Sequence, residues 1–390
     1  MTRNAKSQFR GSRVNRVSEQ MKSGSDLEVR LARDVRLLFR GSRLRVAREL
    51  RGLSQKTLAE LVAISAAAIG QFEKGATIPT ARTLVSLSNA LDFPLEFFRD
   101  DAAGQRDDVP AFFRSLRSVR AIERKQARAF ADVVRQFAVG LESYVELPPL
   151  DVPRIPVTSQ DVERVEDIAS RVRQEWGLNS DQPLSDLVVE LERHGIIVTR
   201  ATFDTEKMDA FSVAFEDHPV VVLCSDKGLR DRSRFDAAHE LGHLVMHDPE
   251  VCGMRWAESQ ANRFAAAFLM PSEGIAAELP ATPEWPRLVS LKRKWGVSIA
   301  ALLVRARTLG IMAPEVQIQA FKTLSARGWR TSEPEPLGPP ETPKLLRNAI
   351  RMLDNSAIPG EQLVELTAIP MDQIARIYAA NAPPRPKVEL

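Results

Sequence analysis

The sequence predicts a mainly α-helical, multidomain protein in which one central segment combines helices with a small sheet. Three observations lead to this fold class. The chain has 390 residues, enough for two or three domains. Apolar residues recur at helical spacing in its amino-terminal and carboxy-terminal regions. Short runs rich in Val, Ile and Phe, typical of half-buried strands, fall at Ile196–Ala201, Ala210–Phe215 and Val220–Leu223.

The composition is that of a soluble globular protein, with 44% hydrophobic and 27% charged residues. Cys224 and Cys252 are the only cysteines, which excludes a disulfide framework and favours a reducing compartment. The first residues, MTRNAKSQFRGSR, lack the apolar core of a signal peptide. No run of about 18 apolar residues could cross a membrane. We therefore expect a cytoplasmic protein with no membrane partner.

The amino-terminal region carries an excess of positive charge, with thirteen Lys and Arg against five Asp and Glu in residues 1–50. We interpret residues 1–37 as a basic arm followed by a helix, since helical spacing begins near residue 26. The charge points to an anionic partner, of which nucleic acid is the commonest. A disordered, solvated arm at residues 1–25 is the alternative interpretation.

Capping and turn signals divide residues 38–100 into short helices. Ser54 fits the N-cap position of one helix, and Gly75 fits the position just after the end of another. Pro79 suits the first turn of the helix that reaches Leu91. The predicted helices are Ser42–Arg51, Gln55–Val62, Ser65–Lys74, Pro79–Leu91 and Leu95–Phe98.

Residues 55–74, QKTLAELVAISAAAIGQFEK, place apolar residues where two helices would pack across a tight turn. Together with their flanks they resemble the helix-turn-helix of the xenobiotic-response-element (XRE) and lambda-repressor-like family. The resemblance implies a five-helix DNA-binding domain at 38–100, with residues 65–74 as the recognition helix in the major groove. The turn position usually filled by Gly is Ala63 here, and a left-handed backbone at this residue would cost on the order of 1 kcal/mol.

The start of this recognition helix has few side chains that can read base edges. Gln71 is the one good donor, whereas alanine methyl groups contact only thymine methyl groups. We expect double-stranded DNA bound by a homodimer, the default for a helix-turn-helix that reads paired half-sites. A protein-docking module is the alternative. The predicted DNA-contacting residues are Ser65, Ala66, Ala67 and Gln71 for bases, and Arg43, Arg51, Gln55 and Lys56 for phosphates.

Prolines and changes of pattern set the remaining predicted boundaries. The amphipathic stretch 110–145 indicates linking helices, and the prolines of ELPPLDVPRIPV end it near residue 150. Helices are then predicted at 159–176, 183–194, 233–247, 257–269 and within 285–310. The predicted segments are a helical linker at 101–150, an α+β domain at 151–275, a helical extension at 276–331, a Pro-rich linker at 332–343 and a small helical tail at 344–390.

The segment His239-Glu240-Leu241-Gly242-His243 carries the clearest chemistry. The chain has only five histidines, and His239, His243 and His247 fall within nine residues. Residues four apart on a helix share a face, so His239 and His243 can bind one metal ion. Glu240 lies beside them, where a base for an attacking water is needed. This H-E-x-x-H pattern predicts the core of a zinc hydrolase.

A catalytic zinc needs a third protein ligand. Ligands at i, i+4 and i+8 on one helix would span about 12 Å, too far apart to bind one ion. His247 is therefore expected to support a ligand or to face the substrate near the oxyanion. Glu258 opens the next predicted helix, in which small residues at Ala261 and Ala265 would permit close approach. We therefore predict Glu258 as the third ligand. A salt-bridged surface glutamate is the alternative.

The segments AAHELGHLVMHD and ESQANRFAAAFLMP, in this order, resemble the ImmA/IrrE family of metallopeptidases. The resemblance implies a zincin-like domain at 151–275, in which the H-E-x-x-H helix accompanies a small sheet. It implies zinc bound by His239, His243 and Glu258, with Glu240 as general base. Another divalent metal such as Mn²⁺ would also be compatible with these ligands.

Combining the two resemblances, we expect a DNA-binding transcriptional regulator that carries a zinc-dependent endopeptidase. Its protein substrate would be a repressor or partner regulator in stress, phage or toxin–antitoxin control. One alternative is a non-catalytic XRE transcription factor or antitoxin with a structural or sensing zinc site. The intact Glu240 favours the enzyme. A second alternative is a stand-alone peptidase whose amino-terminal domain docks protein substrates.

Overall fold

The computed structural model describes residues 28–99, 111–113, 119–203, 208–224, 229–251, 253–355 and 360–381. Residue contacts divide the chain into two compact units. The first comprises Met1–Asp107 with Gly360–Met371, and the second comprises Asp108–Pro359 with Asp372–Leu390. The predicted basic arm at residues 1–25 lies outside the described residues. No helix in the described part of the chain has the length and apolar content needed to span a bilayer.

The first unit is helical. Its described amino-terminal part ends in a 3₁₀ turn at Leu95–Phe98, where the sequence predicted a fifth helix. The helices are α1 at residues 28–37, α2 at Gly41–Leu50, α3 at Gln55–Leu61, α4 at Ala66–Glu73 and α5 at Ala81–Leu91.

Short hydroxyl side chains begin three of these helices. Ser54 Oγ accepts a hydrogen bond from the Thr57 backbone N–H at 3.0 Å, as predicted for an N-cap. Ser65 caps α4 in the same way. Thr80 caps α5, accepting from the Thr83 N–H at 3.2 Å. Pro79 therefore lies before α5 and not in its first turn, because Thr80 offers the side-chain acceptor that a helix N-terminus needs.

Two left-handed residues end the helices of this motif. Ala63, in the turn between α3 and α4, has φ of 53°. A residue with a Cβ pays on the order of 1 kcal/mol for this conformation, so the turn retains the glycine-type geometry without the glycine. Gly75, just after α4, has φ of 67°, the conformation expected of a glycine that follows a helix.

A buried ion pair joins the helices of the first unit. The Arg48 guanidinium on α2 donates from Nε to Glu73 Oε1 at 2.5 Å and from Nη2 to Glu73 Oε2 at 3.1 Å. Gln55 Nε2, at the start of α3, also donates to Glu73 Oε2, at 2.7 Å. Glu73 on α4 thus ties three helices together through one carboxylate.

Replacing Glu73 with alanine should destabilise the first unit strongly. The change would leave the Arg48 charge buried without its carboxylate, and breaking one side of a buried pair costs about 3–5 kcal/mol. Urea unfolding followed by circular dichroism measures the difference. Glu60→Ala is the matched control, since the Glu60 side chain is 65% exposed. An equal stability of the two variants would show that the buried pair contributes nothing.

The second unit contains a four-stranded sheet with the order β1-β3-β4-β2. Strand β2 runs parallel to β4, whereas β3 is antiparallel to both β4 and β1. The three strands predicted near residues 196–223 are present. The strands are β1 at Ala111–Phe113, β2 at Ile197–Ala201, β3 at Ala210–Val213 and β4 at Val220–Cys224.

The prediction of helix throughout residues 110–145 is wrong at its beginning. Residues Ala111–Phe113 form β1, and α6 begins only at Ala121 and ends at Leu141. A strand of three residues is too short to show an alternating pattern, so its backbone pairing with β3 decides its conformation. Helix α6 packs against β2 and β4, which gives this amphipathic helix a sheet to cover.

Further helices of the second unit follow α6, whereas the helix Gly360–Thr367 is grouped with the first unit. Buried apolar residues of α7, α8, α9, α10, α12 and α13 share one core with the inner face of the sheet. The helices are α7 at Arg164–Glu175, α8 at Leu187–Arg193, α9 at Arg230–Met246, α10 at Arg255–Leu269, α11 at Ser272–Ile275, α12 at Trp285–Trp295, α13 at Ile299–Thr308, α14 at Pro314–Ala326, α15 at Leu345–Asn355, α16 at Gly360–Thr367 and α17 at Met371–Ala380.

The Pro-rich stretch 332–343, predicted as a linker, is attached to the second unit. Glu341 accepts hydrogen bonds from the first backbone N–H groups of α8, at 3.0 and 3.2 Å, and pairs with Arg234 of α9. Glu333 accepts from the Ile299 N–H at 2.8 Å and from Lys292. Prolines prevent a helix here, but they leave the glutamates able to cap helices elsewhere.

Candidate metal centre

Two helices bring the predicted metal-binding residues together. His239 and His243 lie on α9, and Glu258 lies in the first turn of α10. The helices pack closely because small residues face each other: a Cβ at Gly242 would lie only 3.0 Å from Phe264 Cδ1, and Ala261 and Ala265 are fully buried. This close packing lets a carboxylate on α10 reach both imidazoles on α9.

The three side chains converge on one point. His239 Nε2 lies 3.1 Å from His243 Nε2. Glu258 Oε2 lies 3.4 Å from His239 Nε2, and Glu258 Oε1 lies 3.5 Å from His243 Nε2. Among the described residues this is the cluster of histidines and carboxylates whose atoms could hold a metal ion. The structure therefore brings together all three residues that the sequence proposed as ligands.

The spacing of these atoms suits zinc. Bonds of about 2.1 Å at tetrahedral angles would place neighbouring ligand atoms about 3.4 Å apart, close to the separations in this cluster. Imidazole nitrogen and carboxylate oxygen are both ordinary zinc ligands. The two imidazoles hold the pKa of Glu258 at about 2 against the effect of burial, so the carboxylate is charged and ready to bind a cation. The donor set thus fits a divalent metal.

Glu240 is fully buried beside the cluster, on the side of α9 that faces the sheet. Its Oε2 accepts a hydrogen bond from Ser212 Oγ at 2.6 Å. Ser212 is the third residue of β3 and is itself fully buried. The serine hydroxyl can therefore orient the carboxylate of the candidate base. The sequence gives no signal for Ser212, because nothing local relates a short strand to a helix 28 residues later.

His247 lies behind the cluster. Helix α9 ends at Met246, and His247 has extended backbone, yet its Nδ1 lies 2.9 Å from His243 Nδ1. His247 Nε2 lies 3.1 Å from Gln260 Oε1, and Gln260 Nε2 donates to the Thr158 carbonyl at 2.8 Å. Burial and the neighbouring His243 lower the pKa of His247 to about 4, which keeps its ring neutral at pH 7.

These contacts assign one proton to each hydrogen bond. If His243 binds a metal through Nε2, its Nδ1 carries the proton and donates to His247 Nδ1. His247 then donates from Nε2 to Gln260. Both ring nitrogens of His247 are used in this arrangement, which supports a place behind a ligand more than a place at the oxyanion.

His239 Nδ1 similarly lies 3.1 Å from Asn262 Oδ1. The position of Asn262, four residues after Glu258 and so on the same face of the helix, is a signal that the sequence offered. No such spacing indicates Gln260.

Replacing Gln260 with leucine should weaken metal binding. The change removes the acceptor that fixes His247, which in turn orients His243, and losing such a partner typically costs 10–100-fold in metal affinity. Competition with a fluorescent zinc chelator measures the dissociation constant. Ser259→Ala, at an exposed position on the same helix, is the control. If both variants bind zinc like the unsubstituted protein, the hydrogen-bond chain does not support the site.

The predicted DNA-contacting residues of the first unit divide into two groups. Lys56, Ser65, Ala66, Ala67 and Gln71 are exposed along the start of α3 and one face of α4. Gln55 is exposed but donates to Glu73.

Arg43 and Arg51 are engaged within the first unit. The Arg43 guanidinium lies 4.7 Å from the centre of the Phe97 ring, and the residue is 9% exposed. Arg51 donates to the carbonyl groups of Leu91 and Asp92 at 2.8 and 2.9 Å. Burial of Arg43 against Phe97 disfavours the predicted phosphate contact of Arg43. Arg51 is only partly buried, and its phosphate contact stays a prediction.

Comparison with known proteins supports both parts of this description. Residues 44–98 match the family model of the helix-turn-helix, and residues 191–307 match the IrrE N-terminal-like domain of peptidase family M78. Uncharacterized HTH-type transcriptional regulators of Sinorhizobium medicae (strain WSM419) and Rhizobium meliloti (strain 1021) are each 39% identical over 64 residues, 16% of this chain. The chain spans about half the length of these curated relatives, 46%. The two family resemblances drawn from the sequence are confirmed.

Proposed function

We propose that this chain, which carries a helix-turn-helix domain and an IrrE-like peptidase-family domain, is a DNA-binding regulator with a zinc-dependent endopeptidase activity. One observation carries the enzymatic part. Two imidazole nitrogens and the Glu258 carboxylate converge at spacings of 3.1–3.5 Å, next to the buried carboxylate of Glu240. A catalytic zinc site has three protein ligands and an adjacent base, whereas a structural site has four protein ligands.

The residues around the cluster have distinct tasks in peptide hydrolysis. A bound zinc ion would polarise the scissile carbonyl and make a water molecule more acidic. Glu240 accepts the proton of the attacking water and passes it to the leaving amine. Ser212 keeps the Glu240 carboxylate oriented through its hydrogen bond at 2.6 Å. His247, Gln260 and Asn262 hold the two histidine rings in place.

The proposed substrate is a repressor or partner regulator. The presence of a helix-turn-helix match and a peptidase-family match in one chain supports a role in gene control, with cleavage of a regulator relieving repression during stress, phage induction or toxin–antitoxin control. The proposed assembly on DNA is a homodimer, because a helix-turn-helix that reads paired half-sites follows the two-fold symmetry of its operator.

Metal content and cleavage together test the enzymatic part. The purified chain should bind about one zinc ion per molecule, as measured by elemental analysis. Incubation with regulators encoded beside its own gene should yield a defined cleavage product, detected by mass spectrometry. EDTA should abolish the cleavage and added zinc should restore it. A chain that binds no divalent metal would rule out the proposal.

The exposed face of α4 supports specific DNA binding. Gln71→Ala should lower the affinity for the chain's own promoter DNA by about 5- to 150-fold, since a good side-chain contact to a base contributes about 1–3 kcal/mol. Lys56→Ala should instead weaken binding to all sequences. It should also reduce the slope of log affinity against log salt concentration by about one unit. Mobility-shift titrations at several salt concentrations measure both effects.

Asn89→Ala is the control for this pair of variants, because Asn89 carries an exposed amide on α5 and not on the proposed recognition helix. If Gln71→Ala binds promoter DNA as tightly as this control, α4 does not read bases. Equally weak binding of the unsubstituted chain to every sequence would favour protein docking by this unit.

A further inference from the structure

The edge of strand β3 is occupied by a short piece of the chain itself. Strand β3 pairs with β4 on one side and with β1 on the other. The pairing with β1 is antiparallel and covers three residues, with Ala111 opposite Val213, Phe112 opposite Ser212 and Phe113 opposite Phe211. Strand β1 is the last strand of the sheet on this side, and it precedes α6 in the chain.

This edge lies directly beside the candidate base. Ser212, the central residue of the pairing, donates to Glu240 Oε2 at 2.6 Å. Paired strands run about 4.8 Å apart, so the backbone of Phe112 lies one strand spacing from the residue that orients Glu240. A peptide that replaced β1 would therefore place its own backbone next to the residues proposed to cleave it.

Extended peptides bind sheet edges through main-chain hydrogen bonds, whatever their side chains. The edge of β3 offers such hydrogen bonds, and β1 uses them with three residues only. A strand this short makes few backbone hydrogen bonds, and its pairing gains from being intramolecular, for which effective concentrations are about millimolar with short flexible connections. Strand β3 has only four residues, and three of them pair with β1, so a peptide would compete for the same backbone hydrogen bonds. It would displace β1 when it binds tightly enough to overcome this intramolecular advantage.

We propose that Ala111–Phe113 is an autoinhibitory strand, which occupies the edge of β3 along which an extended peptide substrate would pair, until a substrate or partner displaces it. The inference rests on the proposed peptidase function for its catalytic meaning. Peptide binding at the edge can be measured without catalysis, so the two proposals can fail separately.

The first test frees the edge and measures binding of a probe. The probe is a fluorescent synthetic peptide with the sequence of residues 108–118, DVPAFFRSLRS. The protein is the full chain with Phe112→Pro and Phe113→Pro. Successive N–H groups of a strand point to opposite sides, so this pair of prolines removes at least one donor to β3. Fluorescence anisotropy should show at least tenfold tighter binding than to the unsubstituted chain.

Two controls accompany this test. The full chain with Phe112→Ala and Phe113→Ala retains the backbone donors and should bind the probe as weakly as the unsubstituted chain. A probe in which the two phenylalanines are replaced with proline should bind neither protein. If the double-proline chain binds the unmodified probe no better than the unsubstituted chain, the proposal is overturned, and β1 merely covers a sheet edge.

The second test locks the strand and does not depend on how the prolines affect folding. Cysteines replace Ala111 and Val213, in a chain with Cys224→Ser and Cys252→Ser. Opposite residues of an antiparallel pair lie about 4.5–5.5 Å apart between Cα atoms, which a disulfide can bridge. The oxidised chain should bind the probe at least tenfold more weakly than the reduced chain. Equal binding in the two redox states would overturn the proposal.

Cleavage distinguishes this proposal from the proposed function. The oxidised chain should cleave its protein substrate at least tenfold more slowly than the reduced chain, with recovery on reduction. If probe binding changes as expected in both tests but the chain cleaves nothing, the result supports the peptide-binding edge and contradicts the peptidase. Cleavage that is unaffected by the lock supports the peptidase and overturns the autoinhibitory strand.

Discussion

Replacing Glu240 with glutamine should leave the metal bound and reduce peptide cleavage by about 100- to 10,000-fold, the usual contribution of a positioned general base. Glutamine has the shape of glutamate, and its side-chain oxygen can still accept the hydrogen bond of Ser212. It cannot take a proton from water at neutral pH. The proposed metal-binding groups of His239, His243 and Glu258 are unchanged by this substitution, so the loss should appear in kcat and not in zinc content.

The measurement is the initial rate of cleavage of the partner regulator at saturating zinc, with elemental analysis of each protein. Glu250→Gln is the matched control, since Glu250 is an exposed carboxylate on the 3₁₀ turn after α9. This control should cleave at the unsubstituted rate. A Glu240→Gln chain that is equally active would remove Glu240 from the mechanism.

Replacing His239 with alanine should abolish stable zinc binding. Four-ligand zinc sites bind with about 10–16 kcal/mol, so one ligand accounts for about 3 kcal/mol and its loss for at least about 100-fold in affinity. Glu258→Ala removes the third ligand and should have an effect of the same order. Cleavage should disappear together with the metal in both variants.

Chelator competition at pH 7 measures these affinities, and thermal unfolding with and without zinc reports the same loss as a smaller stabilisation by the metal. His194→Ala is the control, because His194 stacks on Trp176 with ring centres 4.0 Å apart and lies outside the cluster. Zinc binding that survives His239→Ala but not Glu258→Ala would mean that the metal takes other ligands than those proposed.

The candidate metal ligands could be predicted from local patterns in the sequence. The spacing of His239 and His243 is a property of one helix, and α9 presents both imidazoles on one face as expected. Glu258 was inferred from small residues that would let a second helix approach, and the packing of α10 on α9 brings it within 3.5 Å of both rings. Local periodicity and residue size were sufficient for these three residues.

The supporting residues could not be inferred in the same way. Ser212 reaches Glu240 across 28 residues, and Gln260 reaches both His247 and the Thr158 carbonyl, which lies 102 residues away. The buried placement of Arg43 on Phe97 likewise depends on where the 3₁₀ turn at Leu95–Phe98 packs. None of these contacts produces a periodic pattern in the sequence.

Most of the helices, the helix-turn-helix, the five-residue motif and the candidate ligands could be predicted from the sequence, because these depend on interactions within a few turns of chain. The strand at the edge of the sheet, the residues that contact the candidate base and histidines, and the burial of Arg43 follow from the tertiary fold. Such contacts join residues distant in the chain, and their free energy comes from packing and pairing that local propensity does not encode. The three residues of β1 are the clearest case, since their conformation comes from the strand beside them.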